Sequence, residues 1–297
     1  MKKADIKTGF LCNNNCQFCV QGDKKKKLGN KTTDEIKKIL KNASRDCQIV
    51  VFTGGEVTTR KDLIELITYA RKLKFKTIQI QSNGRMFAYE KFCEEIIDAG
   101  ANEFALAIHG HIPEVHNWLT QSKSFHHTVT GMKNLRKLGQ RILTNTVITK
   151  SNYRHLSEIA KLLISLDVEQ FQFAFVHALG AAEKNFDRIV PRVSLVAPHL
   201  KKALDIGRHF RKRAMVEAVP YCFLKGYEDC ISENIMPDGK IYEFNYVIPD
   251  FTSSRINDGK TRGPNCQKCK FLNVCEGPWK EYPQRFGWEE FKPIRNT

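Results

Sequence analysis

The chain has 297 residues, of which 41% are hydrophobic and 27% charged, and its formal net charge is +16. Those fractions are ordinary for a soluble globular protein, and the length suffices for one large core with or without a small appended domain. No apolar run approaches the roughly 20 residues that span a bilayer, and the N-terminus lacks the apolar segment of a secretory signal. We therefore expect a cytoplasmic protein with no membrane partner.

The positive charge fits three kinds of surface: one that binds nucleic acid, one that binds an anionic substrate, and one that is merely rich in solvated lysines. The lysines are dispersed along the chain apart from the run Lys24–Lys27. Because dispersed charge is weak evidence for a dedicated polyanion site, we favour the solvated surface. A nucleic-acid partner remains a less favoured alternative.

Short runs rich in Ile, Val, Phe and Thr alternate with amphipathic stretches over the first two-thirds of the chain. The amphipathic stretches carry apolar side chains at helical spacing, and Thr33-Asp34 and Ser151-Asn152 are helix start signals. A further helix is predicted around Leu200–Arg213. The predicted strands are Asp5–Leu11, Gln48–Thr53, Thr77–Ser82, Glu103–His109, Ile142–Thr149 and Gln170–Val176.

Strand–helix repetition at this spacing predicts an α/β fold with parallel strands and right-handed crossovers. Six units favour a partial (β/α)6 TIM-like barrel, with a doubly wound open sheet as the alternative. In both folds the site lies at the C-terminal ends of the strands. After Pro220 the sequence becomes irregular and cysteine-rich. We therefore predict a barrel over residues 1–213 and a small metal-stapled domain over residues 214–297.

Three of the ten cysteines, Cys12, Cys16 and Cys19, follow the first predicted strand within eight residues. Thiolates at this spacing on a loop can converge on one soft metal centre. Three ligands leave a coordination position open, which is typical of a reactive site. A structural zinc site would need a fourth ligand, and residues 20–46 contain neither His nor Cys.

The C-x3-C-x2-C spacing resembles the signature of the radical S-adenosylmethionine (SAM) superfamily, whose three cysteines hold a [4Fe–4S] cluster. Phe18 matches an aromatic position that packs near the SAM adenine in that family. Gly54-Gly55-Glu56 ends the second predicted strand, where the family carries a motif that binds the SAM amino group. Glycines permit close backbone approach, and a carboxylate accepts from an ammonium. One departure is Val57, where many members have Pro.

The resemblance also implies contacts to SAM from Ser82 and Asn83 at the end of strand three, His109 at the end of strand four and Asn145 within strand five. Each of them has a simpler interpretation as a turn, cap or structural residue. His109 and His177 could instead line a substrate pocket. Cys47 and Cys93 are predicted to be small core residues. The aromatic residues of the C-terminal tail are predicted to pack the tail against the barrel: Trp279, Tyr282, Phe286, Trp288 and Phe291.

A second cysteine group, Cys266, Cys269 and Cys275, has the spacing C-x2-C-x5-C, which alone fits zinc or iron–sulfur. Beside the N-terminal motif it resembles the SPASM or twitch extensions of radical SAM enzymes, which carry auxiliary [4Fe–4S] clusters. The full SPASM pattern has another cysteine where this chain has Trp279. We therefore predict one auxiliary cluster held by Cys222 and these three cysteines, with Cys230 as an alternative to Cys222. If only three cysteines bind, the open iron could hold substrate, as in the molybdenum-cofactor cyclase branch.

The resemblance implies an enzyme that reductively cleaves SAM to a 5′-deoxyadenosyl radical, which abstracts hydrogen from a substrate. It also implies an external electron donor of the ferredoxin or flavodoxin type. A small molecule, cofactor precursor or peptide is the expected substrate, although we expect no N-terminal leader-binding domain because only eleven residues precede Cys12. An RNA-modifying enzyme and a zinc-stabilised binding protein are the alternatives.

Overall fold

The computed structural model describes residues 1–295. Nine strands form one sheet: β1 (Lys3–Lys7), β2 (Ile49–Thr53), β3 (Thr77–Ser82), β4 (Glu103–Ala107), β5 (Ile142–Ile148), β6 (Gln170–Phe175), β7 (Arg213–Glu217), β8 (Gly239–Tyr242) and β9 (Val247–Ile248). The α-helices are α1 (Gly22–Lys27), α2 (Thr33–Ala43), α3 (Leu63–Lys72), α4 (Glu90–Ala99), α5 (Pro113–Thr120), α6 (Phe125–Lys137), α7 (Leu156–Ser165), α8 (Ala181–Lys184), α9 (Phe186–Ile189), α10 (Val193–His209), α11 (Phe251–Ser254) and α12 (Glu281–Phe286). Short 3-10 helices and one π-helical turn, Arg255–Gly259, connect them; the 3-10 helices are Val57–Thr59, Met86–Ala88, Tyr153–His155, Tyr221–Phe223, Glu228–Cys230, Ser232–Asn234 and Pro264–Lys268.

The strand order is β7-β6-β5-β4-β3-β2-β1-β8-β9, and every neighbouring pair is parallel except β8 with β9. A doubly wound sheet would reverse direction at a switch point, whereas here the first seven strands follow chain order. Right-handed crossovers in one direction place the connecting helices on the same face. The sheet is an open partial barrel, as predicted.

Two predicted element ends are wrong by four residues each, whereas the other strand ends differ by at most two. β1 ends at Lys7 rather than Leu11, because Gly9 has a φ of +154° and turns the chain out of the ladder. The helix predicted to reach Arg213 ends at His209, because Arg211 has a left-handed φ of 53° and starts a turn into β7. A seventh parallel strand therefore follows the six predicted, and the predicted domain boundary after residue 213 falls inside it.

The two faces of the sheet differ in chemistry. Apolar residues such as Ala4, Ile6 and Phe52 point to the helices and form the core. The opposite face, here called the inner face, is polar and partly exposed. Its polar members include Lys3, Asp5, Lys7, Gln79, Gln81, Glu103, Asn145, Gln172 and Glu217.

The predicted packing of the C-terminal tail is confirmed. The Tyr282 ring lies 5.5 Å from the Phe175 ring of β6, and its hydroxyl accepts a hydrogen bond from the Val193 amide at 2.9 Å. The Phe286 ring lies 5.2 Å from Phe186. Cys47 and Cys93 are buried in the core, as predicted. No helix in the described part of the chain is long and apolar enough to cross a membrane.

Candidate functional site

The loop that carries Cys12, Cys16 and Cys19 lies at the C-terminal end of β1, beside the ends of β2 and β3. All three thiols are free and partly buried, and burial raises the pKa of each. A charge on Cys19 raises the pKa of Cys12 and Cys16 further, so Cys19 lies near both of them. Thiols held in their protonated form by burial bind a metal centre as they release protons. The donor set therefore fits an iron–sulfur cluster.

The two glycines of residues 54–56 allow the cysteine loop to approach β2. The Gly55 amide donates to the Gly9 carbonyl, and the Glu56 amide donates to the Leu11 carbonyl, both at 2.8 Å. A Cβ on Gly54 would lie 2.2 Å from the Gly9 carbonyl oxygen, and one on Gly55 would lie 2.2 Å from that of Leu11. The sequence predicted that these glycines let a ligand approach the backbone closely. The structure shows that they let the cysteine loop approach it.

Glu56 connects the ends of β2 and β3. Its Oε1 accepts from the Thr58 amide, the Thr58 hydroxyl and the Ser82 hydroxyl, and its Oε2 accepts from the Asn83 amide at 2.7 Å. An ionised carboxylate has about four acceptor positions over its two oxygens. Oε2 therefore retains capacity for a further donor. Ser82 and Asn83, predicted to contact SAM, are already engaged in this network.

A contact that sequence reasoning missed holds the cysteine loop from the other side. The amides of Asn15 and Gln17 donate to the carbonyls of Thr120 and Leu119 at 3.0 and 2.9 Å, where α5 ends. The last carbonyls of a helix have no partner within it, so the cysteine loop caps α5. No local pattern signals this pairing, because the partners lie about a hundred residues apart in the sequence.

His116 fixes α5 to the end of β4. Its Nδ1 accepts from the His109 amide at 3.1 Å, so its Nε2 carries the proton and lies 3.0 Å from the Ser124 hydroxyl. Burial lowers the pKa of His116 to about 4, and the ring is therefore neutral near pH 7.

The predicted adenine-side residues come together at β4 and β5. The Phe18 ring stacks edge-on against His109 with centroids 4.5 Å apart, and His109 Nδ1 accepts from the Val147 amide at 3.2 Å. Burial lowers the pKa of His109 well below its usual value. On β5, Asn145 Oδ1 is buried without a hydrogen-bond partner among the described residues. An unfilled buried acceptor on the inner face is suited to a bound cofactor or substrate.

The C-terminal cysteines line a small cavity. Its lining includes Cys222, Cys266, Cys269 and Cys275, together with Tyr221, Phe271, Leu272 and Phe291. Burial, and then the neighbouring thiols, raise the pKa of Cys222 to about 12. Two separate segments of the chain therefore bring four thiols to one mostly apolar cavity.

Cys230 lies apart from this group. It is buried, and its thiol faces the charged residues Asp229, Arg208 and Asp205. Within residues 1–295, no three His, Cys, Asp or Glu side chains are arranged to hold a single metal ion. A four-iron cluster takes each thiolate on a different iron, so it does not need that tighter arrangement.

Comparison with known proteins identifies the family to which the chain belongs. The family model of the radical SAM superfamily matches residues 6–163, more than half of the chain. AdoMet-dependent heme synthase of Methanosarcina barkeri is 27% identical over 90% of this chain and 87% of its own length. PqqA peptide cyclase of Bradyrhizobium diazoefficiens is 25% identical over 77% of this chain, and the match spans 63% of that cyclase.

Among solved structures, SuiB of Streptococcus suis bound to S-adenosylmethionine superimposes with a TM-score of 0.69. The match covers 99% of this chain and 76% of SuiB at 15% identity, which is evidence for the fold alone. SuiB has also been solved bound to its precursor peptide SuiA. The family match, together with relatives that are themselves enzymes, shows that this chain belongs to the radical SAM superfamily and is an enzyme.

Proposed function

We propose that this enzyme binds SAM at a [4Fe–4S] cluster held by Cys12, Cys16 and Cys19 and abstracts hydrogen from a peptide or small-molecule substrate. The observation that carries the proposal is the loop of three clustered thiols, held at the C-terminal end of the sheet by β2 and α5. When bound, the cluster and SAM supply the reductive cleavage that generates the hydrogen-abstracting species. An external ferredoxin or flavodoxin would supply the electron.

In this proposal the chain's own residues bind and orient SAM. Glu56 Oε2, which accepts only from the Asn83 amide, has room to receive the SAM ammonium. Phe18 and His109 form an apolar, uncharged wall suited to the adenine. Asn145 Oδ1 offers an acceptor on the inner face. Burial of this wall and of the thiols excludes water from the reacting groups.

We further propose that Cys222, Cys266, Cys269 and Cys275 hold one auxiliary [4Fe–4S] cluster and that residues 214–297, apart from the strands that join the main sheet, form the domain that carries it. The shared cavity supports this ligand set over one that includes Cys230. Peptides are a reasonable substrate class because PqqA peptide cyclase is a relative and SuiB binds a precursor peptide. Small molecules are the other candidate substrate class, because a heme synthase is also a relative.

Anaerobic reconstitution with iron, sulfide, SAM and dithionite tests the central claim. We expect 5′-deoxyadenosine from the wild type and only background from Cys16→Ala, with Cys93→Ala as the control because Cys93 lies in the core. Equal product from the wild type and Cys16→Ala would refute the assignment.

A further inference from the structure

Glu217 is a carboxylate at the C-terminal end of the edge strand β7, and the proposed function does not use it. It is the last residue of β7, and its neighbours Ala214 and Val216 face the core. Side chains alternate along a strand, so Glu217 faces the inner side. It is partly buried there, at the C-terminal end of the strands where the cysteine loop also lies.

A row of polar side chains joins Glu217 to the predicted SAM contact on β5. Gln172 Nε2 donates to Glu217 Oε2 at 2.6 Å, and Gln172 pairs in register with Asn145. Asn145 Oδ1 is buried and receives no hydrogen bond from the described residues. Leaving a buried acceptor unfilled destabilises the fold. A ligand on this row is therefore expected to be a hydrogen-bond donor.

The charges behind Glu217 are already paired. Arg255 donates to both oxygens of Glu276, at 2.8 and 2.6 Å, and its side chain is 1% exposed. Lys260 Nζ lies 3.5 Å from Glu233 Oε1, and the lysine side chain is fully buried. Of the ion pairs among residues 1–295, none includes Glu217. Lys260, Arg255 and Lys3 lie close enough to lower its pKa, but none of them forms an ion pair with it.

Lys260 is the nearby cation with the largest effect on the pKa of Glu217, but its ammonium is held against Trp279. Its ammonium has no hydrogen-bond partner among the described residues, and it lies 4.0 Å from the centroid of the Trp279 ring. His177 stacks on the same indole at 3.9 Å with the rings nearly parallel. Two groups this close cannot share one face of the ring, so Trp279 separates Lys260 from His177. The ammonium is fully buried, whereas Glu217 is only partly buried.

For the pKa of Glu217, the effect of burial outweighs the attraction of the nearby cations Lys260, Arg255 and Lys3. Burial, and then repulsion from Glu233, raise the pKa of Glu217 to about 7. A cation bound beside the carboxylate would favour its ionised form.

We propose that Glu217 determines substrate specificity by binding a protonated amine or guanidinium group of the substrate on the inner face. The inference rests on the proposed function, because a hydrogen atom is abstracted only from a C–H bond held beside bound SAM. Asn145 and Glu217 are linked through Gln172, so a substrate anchored at Glu217 lies along the face that the SAM site shares.

Deuterium transfer tests the proposal without knowledge of the natural substrate. Three probes with perdeuterated side chains are compared: Nα-acetyl-lysine amide, the uncharged Nα-acetyl-norleucine amide and the anionic Nα-acetyl-glutamate amide. The readout is deuterium in 5′-deoxyadenosine, measured by mass spectrometry in wild type, Glu217→Gln and Glu103→Gln. Glu103 is the matched control. It is an inner-face carboxylate at the start of β4, away from the C-terminal ends of the strands, and it is paired with Arg141.

We expect the wild type to take deuterium chiefly from the lysine probe. Glu217→Gln should lose about tenfold or more of that transfer, the size of one charged hydrogen bond, while total 5′-deoxyadenosine and iron content stay at the wild-type level. Glu103→Gln should behave as wild type. Equal transfer from the norleucine probe, no transfer from the lysine probe, or unchanged transfer in Glu217→Gln would overturn the proposal. Absence of any 5′-deoxyadenosine from the wild type would instead overturn the proposed function.

Discussion

The two cysteine sites of this enzyme are held in different ways. The N-terminal loop is fixed by backbone hydrogen bonds to β2 and α5, which belong to the sheet and its helices. The C-terminal cavity is built from short helical turns with aromatic walls, such as the Tyr221 and Phe271 rings 4.7 Å apart. The first site is therefore shaped by the protein before a cluster binds. The second has fewer secondary-structure contacts, and we expect its order to depend more on its metal.

The largest effect should come from removing one ligand of the C-terminal cavity. In Cys266→Ala we expect iron content to fall from about eight to about four per chain and hydrogen exchange over residues 220–295 to rise strongly, while the N-terminal loop stays protected. Cys230→Ala is the matched control and should leave both readings unchanged. An iron loss shared equally by the two variants would contradict the ligand set.

The next largest effect should come from a substitution that prevents the close approach of the cysteine loop to β2. Gly55→Ala would place a Cβ 2.2 Å from the Leu11 carbonyl oxygen and push the loop away. A displacement of about 1 Å can cost roughly 100-fold in rate, and we expect that loss in SAM cleavage with iron at the C-terminal site intact. Gly29→Ala, where a Cβ meets nothing within 4 Å, should cleave SAM normally. Similar losses in both variants would show that the effect is not local.

A smaller effect should follow when the hydrogen bond that holds α5 to the end of β4 is removed. His116→Leu removes the acceptor for the His109 amide, whereas His116→Asn keeps an oxygen near the Nδ1 position. We expect SAM affinity to fall about tenfold in the Leu variant, the scale of an outer-shell loss, with partial recovery in the Asn variant. The EPR signal of the SAM-bound cluster should change in parallel. His127→Asn, exposed on α6, serves as the control, and equal affinities for the Leu and Asn variants would argue against positioning.

The smallest expected effect is a change with pH in deuterium transfer from the lysine probe, caused by titration of Glu217 on the inner face. The pKa of Glu217 is raised to about 7, so its carboxyl is mostly ionised at pH 8 and mostly protonated at pH 6. Deuterium transfer from the lysine probe should therefore fall roughly fivefold to tenfold over that interval. Glu217→Gln should show no such change. A wild-type profile that rises towards pH 6 would contradict the charge assignment.

Much of the barrel could be predicted from the sequence because its signals are local. The strand Thr77–Ser82 has the bounds predicted from its alternating pattern, and the cysteine spacing indicated the chemistry. What could not be predicted depends on distant contacts. β7 is a short apolar run recognisable only beside β6, and the capping of α5 by the cysteine loop joins residues about a hundred positions apart. The need for Gly54 and Gly55 was predicted, but the Gly9 and Leu11 carbonyls they approach were not.

The contacts that hold the cysteine loop also set an order of events during biosynthesis. Cys12, Cys16 and Cys19 leave the ribosome well before the residues that fix their loop. Those residues are Leu119 and Thr120, through their carbonyls, and Asn185, whose side-chain Nδ2 donates to the Gln17 carbonyl at 3.0 Å. Chains are made from the N-terminus, so the three thiols remain unorganised until about residue 185 has been added. Cluster delivery before that point would meet a flexible loop, and we expect stable loading of this site only on chains that have passed it.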